Sequence, residues 1–339
     1  MSDPHSSRFY RSVGRYDGMD EGIRLTAASL FCGCGGLDLG AEGGFDFLGR
    51  HYRDNRIDVV YANEINERAA RLYRENFGRS PDCRDIRTVD SKDIPDVDIV
   101  MGGFPCQSFS VAAEGDKRLG IKDERGQLFF EMCRIIMDKR PRCFVAENVK
   151  GLLTANDSEA FPLIMSEFRK CGYRPVCTVM DASYYGVPQK RERVIIVGIR
   201  DDLPYDFDFS SIQFSRRKVP LSAVLEDDVL QKYHYSAESV RKAEGGRVRK
   251  FRVQDVEGPC ITIGSHIWKT SLNSSDPVLK SGDGYRRFTP REVARIQSFP
   301  DSYELVGKET YQYHALGNAV PPVLAWHIFD AIGRLLNPD

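Results

Sequence analysis

No stretch of this chain is apolar over the length needed to span a bilayer, and residues 1–21 are polar, carrying Arg and Asp without an apolar centre. A membrane helix and a secretory leader are therefore not expected, and residues 1–21 are expected to be a loosely held, flexible segment. An excess of either charge is also missing: 48 Lys and Arg stand against 49 Asp and Glu, a formal net charge of -1. Any contact with a polyanion must then come from local patches. Metal-ligand spacing is absent as well. The nine cysteines are scattered without a CxxC pair, and no other Cys or His spacing suggests a metal site. An odd number of scattered thiols points to reduced cysteines in an intracellular compartment. What the chain does have is core material, 41% hydrophobic in 339 residues, enough for one large domain and a smaller one.

Short apolar runs alternate with amphipathic segments. Residues 24–31 read as a buried strand that Cys32-Gly33-Cys34-Gly35-Gly36 turns sharply into a helical stretch at 37–41. A second strand over 58–62 runs into Asn63 and Glu64, and 67–77 has helical periodicity. Strand, glycine turn, helix, then an acid after the second strand is a nucleotide-binding opening in which the acid accepts hydrogen bonds from ribose hydroxyls. Glu64 could equally be a solvated helix cap. Further strands at 98–101, 143–146 and 194–197, with helices at 127–137 and 160–171 between them, predict an α/β fold on a doubly wound, mostly parallel sheet.

Cys106 lies in Gly102-Gly103-Phe104-Pro105-Cys106-Gln107-Ser108-Phe109-Ser110, just beyond the third strand, where an α/β sheet keeps its active site. Paired glycines and a proline fix backbone direction, which a thiol needed only for packing does not require. The nucleophile reading therefore stands ahead of the core reading. Charge flanks two other strands: Glu147-Asn148-Val149 follows 143–146, and Gln189-Lys190-Arg191-Glu192-Arg193 precedes 194–197. For the arginines a solvated charged edge is the alternative.

From 204 to 285 the periodicity breaks down, which predicts a second domain over 204–300, after a catalytic and cofactor-binding part over 22–203 and before a C-terminal return to it over 301–339. Basic charge gathers there at Arg216-Arg217-Lys218, Arg241-Lys242 and Arg247-Val248-Arg249-Lys250, near Tyr233, Tyr235, Phe251, His266 and Trp268. The mixture suits phosphate and base contacts, although such runs also occur as solvated faces. A helix starts after Thr289 as N-cap with Pro290 at its first position. Residues 321–336 form a last amphipathic helix, apolar enough to pack on the first domain.

In this order the segments resemble the cytosine-C5 DNA methyltransferases, from about Arg24 to the C-terminus. The resemblance rests on Phe31-Cys32-Gly33-Cys34-Gly35-Gly36, Asn63-Glu64, Asp85-Ile86, the Cys106 segment, Glu147-Asn148-Val149, Gln189-Lys190-Arg191-Glu192-Arg193, Arg287-Phe288-Thr289-Pro290-Arg291-Glu292 and Gly317-Asn318-Ala319-Val320-Pro321. It implies the S-adenosylmethionine-dependent methyltransferase fold with a smaller, irregular target-recognition domain. S-Adenosylmethionine is then the methyl donor, S-adenosylhomocysteine the product, and no metal is required. Phe31, Gly33, Cys34 and Gly36 would surround the cofactor, Glu64 would take its ribose, and Asp85 and Ile86 its adenine. Ile65, Pro105, Leu128, Asn318, Ala319 and Val320 would complete the pocket, with Ile65 standing where many relatives carry an aromatic residue.

The same resemblance implies attack by Cys106 on C6 of cytosine, a protonated Glu147 on N3 and the exocyclic amine, and Arg193 with Arg191 on O2 and the neighbouring phosphate. The base would be rotated out of the duplex, with 108–126 closing over DNA; relatives usually read Ala-Gly where this chain has Ala112-Ala113-Glu114-Gly115. DNA contacts would fall to Ser110, Gln189, Arg216, Arg217, Arg249, Thr262 and Arg287. The implied partner is double-stranded DNA, met in the bacterial cytoplasm by a monomer, with no membrane partner and with a cognate restriction endonuclease acting separately. Three rivals are weaker. An RNA cytosine-C5 methyltransferase of the same fold would carry a Cys-Phe-Thr segment that is not found, and an inactive DNA-binding relative would lose Cys106, Glu147 or the arginines. A dehydrogenase built on the same glycine turn leaves Pro105-Cys106 unexplained.

Overall fold

A computed structural model describes residues 23–105, 126–244, 252–269 and 276–338. Expectations for 1–21, for Cys106 and Ser110, for the closing segment and for Arg249 lie outside those residues. The first element, β1 (Leu25–Leu30), is almost wholly buried, as a central parallel strand must be. The turn after it passes through positive φ at Phe31, Gly33 and Gly35 into α1 (Gly36–Glu42). A hairpin of β2 (Phe45–Phe47) and β3 (Arg50–Tyr52) leads to β4 (Ile57–Asn63) and α2 (Glu67–Phe77). The bounds of α2 are those the periodicity gives, because Asn66 caps its start through the Arg68 N–H and Gly78, at φ 62°, ends it.

Next come β5 (Ile99–Gly102), α3 (Gly126–Lys139), β6 (Cys143–Val149), α4 (Ala160–Lys170), β7 (Tyr173–Asp181) and β8 (Glu192–Arg200). The sheet runs β4-β1-β5-β6-β8-β7. Its first four strands are parallel, so the α/β fold with a mostly parallel central sheet is as expected. The far edge differs: β8 is antiparallel to both neighbours, and β7 is a strand the sequence reading did not contain. The connection from β7 to β8 is too short for a crossover, so the chain turns back on itself.

Alternation divides the strand residues between two layers. Ala27, Ile99, Met101, Cys143, Val145, Ile195 and Val197 belong to one apolar cluster, with α1 and the C-terminal helix Pro322–Leu336. Ala28, Val100, Phe144, Ala146, Val194 and Ile196 belong to the other, with α3 and α4.

Among the described residues, the helices and strands after β8 are α5 (Ala237–Glu244), β9 (Arg252–Val253), β10 (Pro277–Ser281), β11 (Gly284–Arg286), α6 (Pro290–Ile296), α7 (Glu309–Asn318) and α8 (Pro322–Leu336), beside short 3-10 turns. Leu221, Val224, Cys260 and Ile263 of the irregular region join the same cluster as α6 and α8, which seats that region against the sheet. Helix α6 starts with the predicted Thr289 cap and Pro290, completed by Glu292 into a capping box. Helix α8 crosses α1 so closely that a β-carbon at Gly40 would lie 2.3 Å from the β-carbon of Ala325. Among the described residues no helix is long and apolar enough to cross a membrane.

Candidate active site

Strand β1 has β4 on one side and β5 on the other, so the chain's winding reverses there, and a crevice opens at the carboxyl ends of the strands. The cleft, about 670 Å³, is lined by Phe31, Gly33, Gly36, Glu64, Ile65, Asp85, Ile86, Pro105, Leu128, Asn318, Ala319 and Val320 together with Glu147. A larger cleft of about 730 Å³, between the β2–β3 hairpin and Tyr303, contains none of these strand-end groups.

Local geometry explains the glycines. Gly33 needs its φ of +57°, whereas Gly36 is needed because a β-carbon there would lie 2.2 Å from the Val320 carbonyl oxygen. The Gly33 N–H donates to Glu64 Oε2 at 2.8 Å and the Asn66 N–H to Oε1 at 2.7 Å. Burial raises the Glu64 carboxyl, and these two N–H groups pull it back. Since Asn66 caps α2, Glu64 is not the solvated cap of the alternative reading; each of its oxygens keeps a second lone pair for a ligand. Asp85 is gripped by the Arg87 guanidinium, Nε lying 3.0 Å from both carboxylate oxygens, which holds its carboxyl below the usual range.

The second feature is an ion pair. Glu147 on β6 lies opposite Ile195 on β8, and Arg193 is two residues from Ile195 on the same face. Arg193 Nε stands 2.8 Å from Glu147 Oε1, with the two side chains only 10% and 12% exposed. A β-carbon at Gly103 would sit 3.0 Å from Glu147 Oε2, so glycine there gives the carboxylate room. Asn148 Nδ2 donates to the Phe104 carbonyl at 3.0 Å, tying β6 to the two residues that lead into Cys106.

Three of the expected residues lie buried away from the cleft lining. Cys34 does not line the cleft: it is 1% exposed, its carbonyl accepts from the Tyr303 hydroxyl, and burial pushes its thiol up to about 12. Arg191, expected at the base and the neighbouring phosphate, is 1% exposed and donates to the carbonyls of Ile263, Gly317 and Ala319. Gln189, expected at DNA, is fully buried, bonded to Gln297 and to the Ile263 N–H.

The remaining DNA candidates reach the surface. Arg216 and Arg217 are exposed, and Arg287 donates to the Lys232 carbonyl beside the Tyr233 ring. Thr262 donates to the Lys190 carbonyl and lines a cleft of about 440 Å³ with Lys150, Asp181, Glu192 and Arg193. The sequence reading missed His314, which also lines the main cleft. It precedes Asn318 by one helical turn, a signal that depends on seeing α7. Among the described residues no group of three or more His, Cys, Asp or Glu could hold a metal ion.

The sequence pattern described as C-5 cytosine-specific DNA methylase matches residues 25–334. The chain is 35% identical over 331 residues to the type II methyltransferase M.NgoFVII of Neisseria gonorrhoeae, covering 87% of this chain and 82% of that protein. It is 32% identical over 323 residues to the type II methyltransferase M.BsuFI of Bacillus subtilis, covering 93% and 74%. Two solved structures share the fold. One is a putative DNA modification methyltransferase encoded within an E. coli prophage, with TM-score 0.69, 22% identity, and 92% of this chain and 99% of that one covered. The other is the S. pombe Dnmt2 methyltransferase, with TM-score 0.74, 21% identity, and 93% and 99% covered. With a family pattern spanning nearly the whole described chain and relatives above 30% identity, the chain belongs to the C-5 cytosine-specific DNA methylases and is a DNA cytosine-5-methyltransferase.

Proposed function

We propose that this enzyme methylates C5 of a cytosine turned out of a specific double-stranded DNA sequence, using S-adenosylmethionine and Cys106, as the modification half of a restriction-modification pair. The observation that carries this reading is the nearly buried Glu147–Arg193 pair: its Glu147 lines the same cleft as Glu64 and Asp85, its Arg193 lines the neighbouring cleft beside Thr262, and Asn148, next to Glu147, is bonded to the backbone before Cys106. One acidic and one basic group side by side suit a heterocycle that offers both donors and acceptors. The type II methyltransferases among the relatives support the restriction-modification role.

The cleft residues fit S-adenosylmethionine. The glycine turn admits close backbone approach, Glu64 has lone pairs left for a ribose diol, and Ile65, Ile86 and Leu128 offer apolar faces for adenine, with Asn318, Ala319 and Val320 on another wall. Bound there, the cofactor supplies an electrophilic methyl group on a sulfonium.

Cytosine is a poor carbon nucleophile until the Cys106 thiolate adds to C6, forming an S–C6 bond and moving electron density to C5. C5 would then accept the methyl group as the sulfonium S–CH3 bond breaks and its electron pair stays on sulfur as S-adenosylhomocysteine; loss of the C5 proton to water and cleavage of the S–C6 bond would restore the ring and the Cys106 thiolate. Glu147 binds N3 and the exocyclic amine. Arg193 holds O2, and its charge favours the thiolate. A stacked base hides its ring face, so it must leave the duplex first. In this reading 22–203 carries the chemistry and 204–300 reads the sequence, with Arg216, Arg217, Thr262 and Arg287 as DNA contacts, and 301–339 returns to complete the cofactor cleft.

The test is transfer of labelled methyl from S-adenosylmethionine to duplex DNA, with bisulfite sequencing of DNA from expressing cells to map the target. Cys106→Ala is expected to lower transfer by about a thousandfold or more while S-adenosylhomocysteine binding stays within about threefold. Near-normal turnover of the variant would refute Cys106 as the nucleophile.

A further inference from the structure

Arg191 is a fully buried guanidinium that, among the described residues, has no carboxylate bonded to it and no partner for its Nε. Its other nitrogens are spent on two distant pieces of chain. Nη1 donates to Ile263 O at 2.8 Å, and Nη2 donates to Gly317 O and Ala319 O, each at 3.0 Å. The last two carbonyls lie at the C-terminal end of α7, where helix carbonyls lack intrahelical donors and the helix dipole favours a cation. Gln189, two residues earlier, joins the same two pieces. Its Oε1 accepts from the Ile263 N–H at 2.8 Å, and its Nε2 donates to Gln297 Oε1 at 2.8 Å. Gln297 in turn donates to Leu316 O at 2.6 Å. Both backbone groups of Ile263 are therefore clamped to the end of α7 from one stretch of chain. The fit is tight, since a β-carbon at Gly317 would lie 2.4 Å from Gly264 O.

The two clamped segments have different surroundings. Asn318, Ala319 and Val320 form a wall of the main cleft. Thr262, next to Ile263, bonds to Lys190 O and lines the outer cleft beside Arg193. A ligand that orders the first segment must order the second, because a buried cation cannot release its carbonyl acceptors without leaving charge unsolvated.

We propose that Arg191, assisted by Gln189, is a positioning residue that couples occupancy of the cofactor cleft to the placement of the Thr262 segment on DNA. The inference rests on the function proposed above, and coupling of this kind is reciprocal.

The experiment measures the Kd of the complete protein for a duplex carrying the bisulfite-mapped sequence, by fluorescence anisotropy, with and without saturating S-adenosylhomocysteine. In the natural protein the product is expected to tighten DNA binding about tenfold. In Arg191→Lys the ratio is expected to fall to about twofold or less, while the Kd for S-adenosylhomocysteine alone, by calorimetry, moves less than about threefold. Gln189→Ala is expected to give an intermediate ratio. A ratio unchanged in Arg191→Lys, or a ratio of one in the natural protein, overturns the coupling. Failure of the natural protein to bind S-adenosylhomocysteine at all counts instead against the proposed function. If Arg191→Lys does not fold, hydrogen exchange on the natural protein decides: the Ile263 amide should gain protection when S-adenosylhomocysteine binds, and unchanged exchange there overturns the proposal.

Discussion

Gly33 and Gly36 look alike in the sequence and are required for unlike reasons. Gly33 occupies the left-handed region with open space around it, whereas Gly36 meets the Val320 carbonyl. Gly33→Ala should cost about 1 kcal/mol of backbone strain. Gly36→Ala should cost about 1 to 3 kcal/mol, and because Val320 is a wall of the cleft it should also weaken S-adenosylhomocysteine binding by about tenfold. Urea unfolding and calorimetry on the pair would check this, and equal effects on binding would contradict the steric account. The need for glycine was legible in the sequence, but the partner of Gly36 was not, since it arrives from the far end of the chain. The same holds for Glu147 and Arg193, whose meeting depends on the β6–β8 register. Arg191 shows the converse: the motif resemblance implied a contact with the base and phosphate, whereas the fold buries the side chain as an internal strut.

Helices with strong local signals were legible as elements. In α6 the Thr289 hydroxyl accepts from the Glu292 N–H at 3.1 Å and donates to Glu226, while the Glu292 carboxylate accepts from the Thr289 N–H and pairs with Arg286. Thr289→Ala removes the cap oxygen and should lower the unfolding free energy by about 1 to 2 kcal/mol, with Thr289→Ser recovering most of it. Denaturant midpoints would show this, and an alanine variant as stable as the serine one would mean that the cap contributes nothing. Strand β7 escaped notice because only Tyr173, Pro175 and Met180 of its residues are buried and a proline stands near its start, so its pairing with β8 rather than its own composition makes it a strand. Helix α7 escaped because four of its last residues, Ala315-Leu316-Gly317-Asn318, lack an amphipathic pattern.

At the scale of the whole molecule, Asp38 links the glycine turn after β1 to global stability. Fully buried beneath that turn, it accepts from the Ser29 hydroxyl at 3.0 Å and the Tyr73 hydroxyl at 2.8 Å, and burial pushes its carboxyl from 3.8 up to about 6. The folded state therefore holds this proton more tightly than the unfolded chain does. The contribution is fully present below pH 3.8 and is lost as pH rises through about 6. Relative to Asp38→Asn, the natural protein should lose on the order of 3 kcal/mol of stability between pH 4 and 7, measured by urea unfolding across that range. Parallel stability–pH curves for the two proteins would contradict the shift.

By itself the sequence determined the α/β alternation, the glycine turn, the order of the charged segments and most of the residues that line the main cleft, because these follow from hydrophobic period, turn chemistry and short motifs that act locally. Only the tertiary structure decided that β8 runs antiparallel, that Glu147 meets Arg193, and that Gln189 and Arg191 face inward to join Ile263 to the end of α7. Those outcomes depend on which distant segments pack together and exclude water, and burial of that kind is a property of the assembled chain that no local stretch encodes.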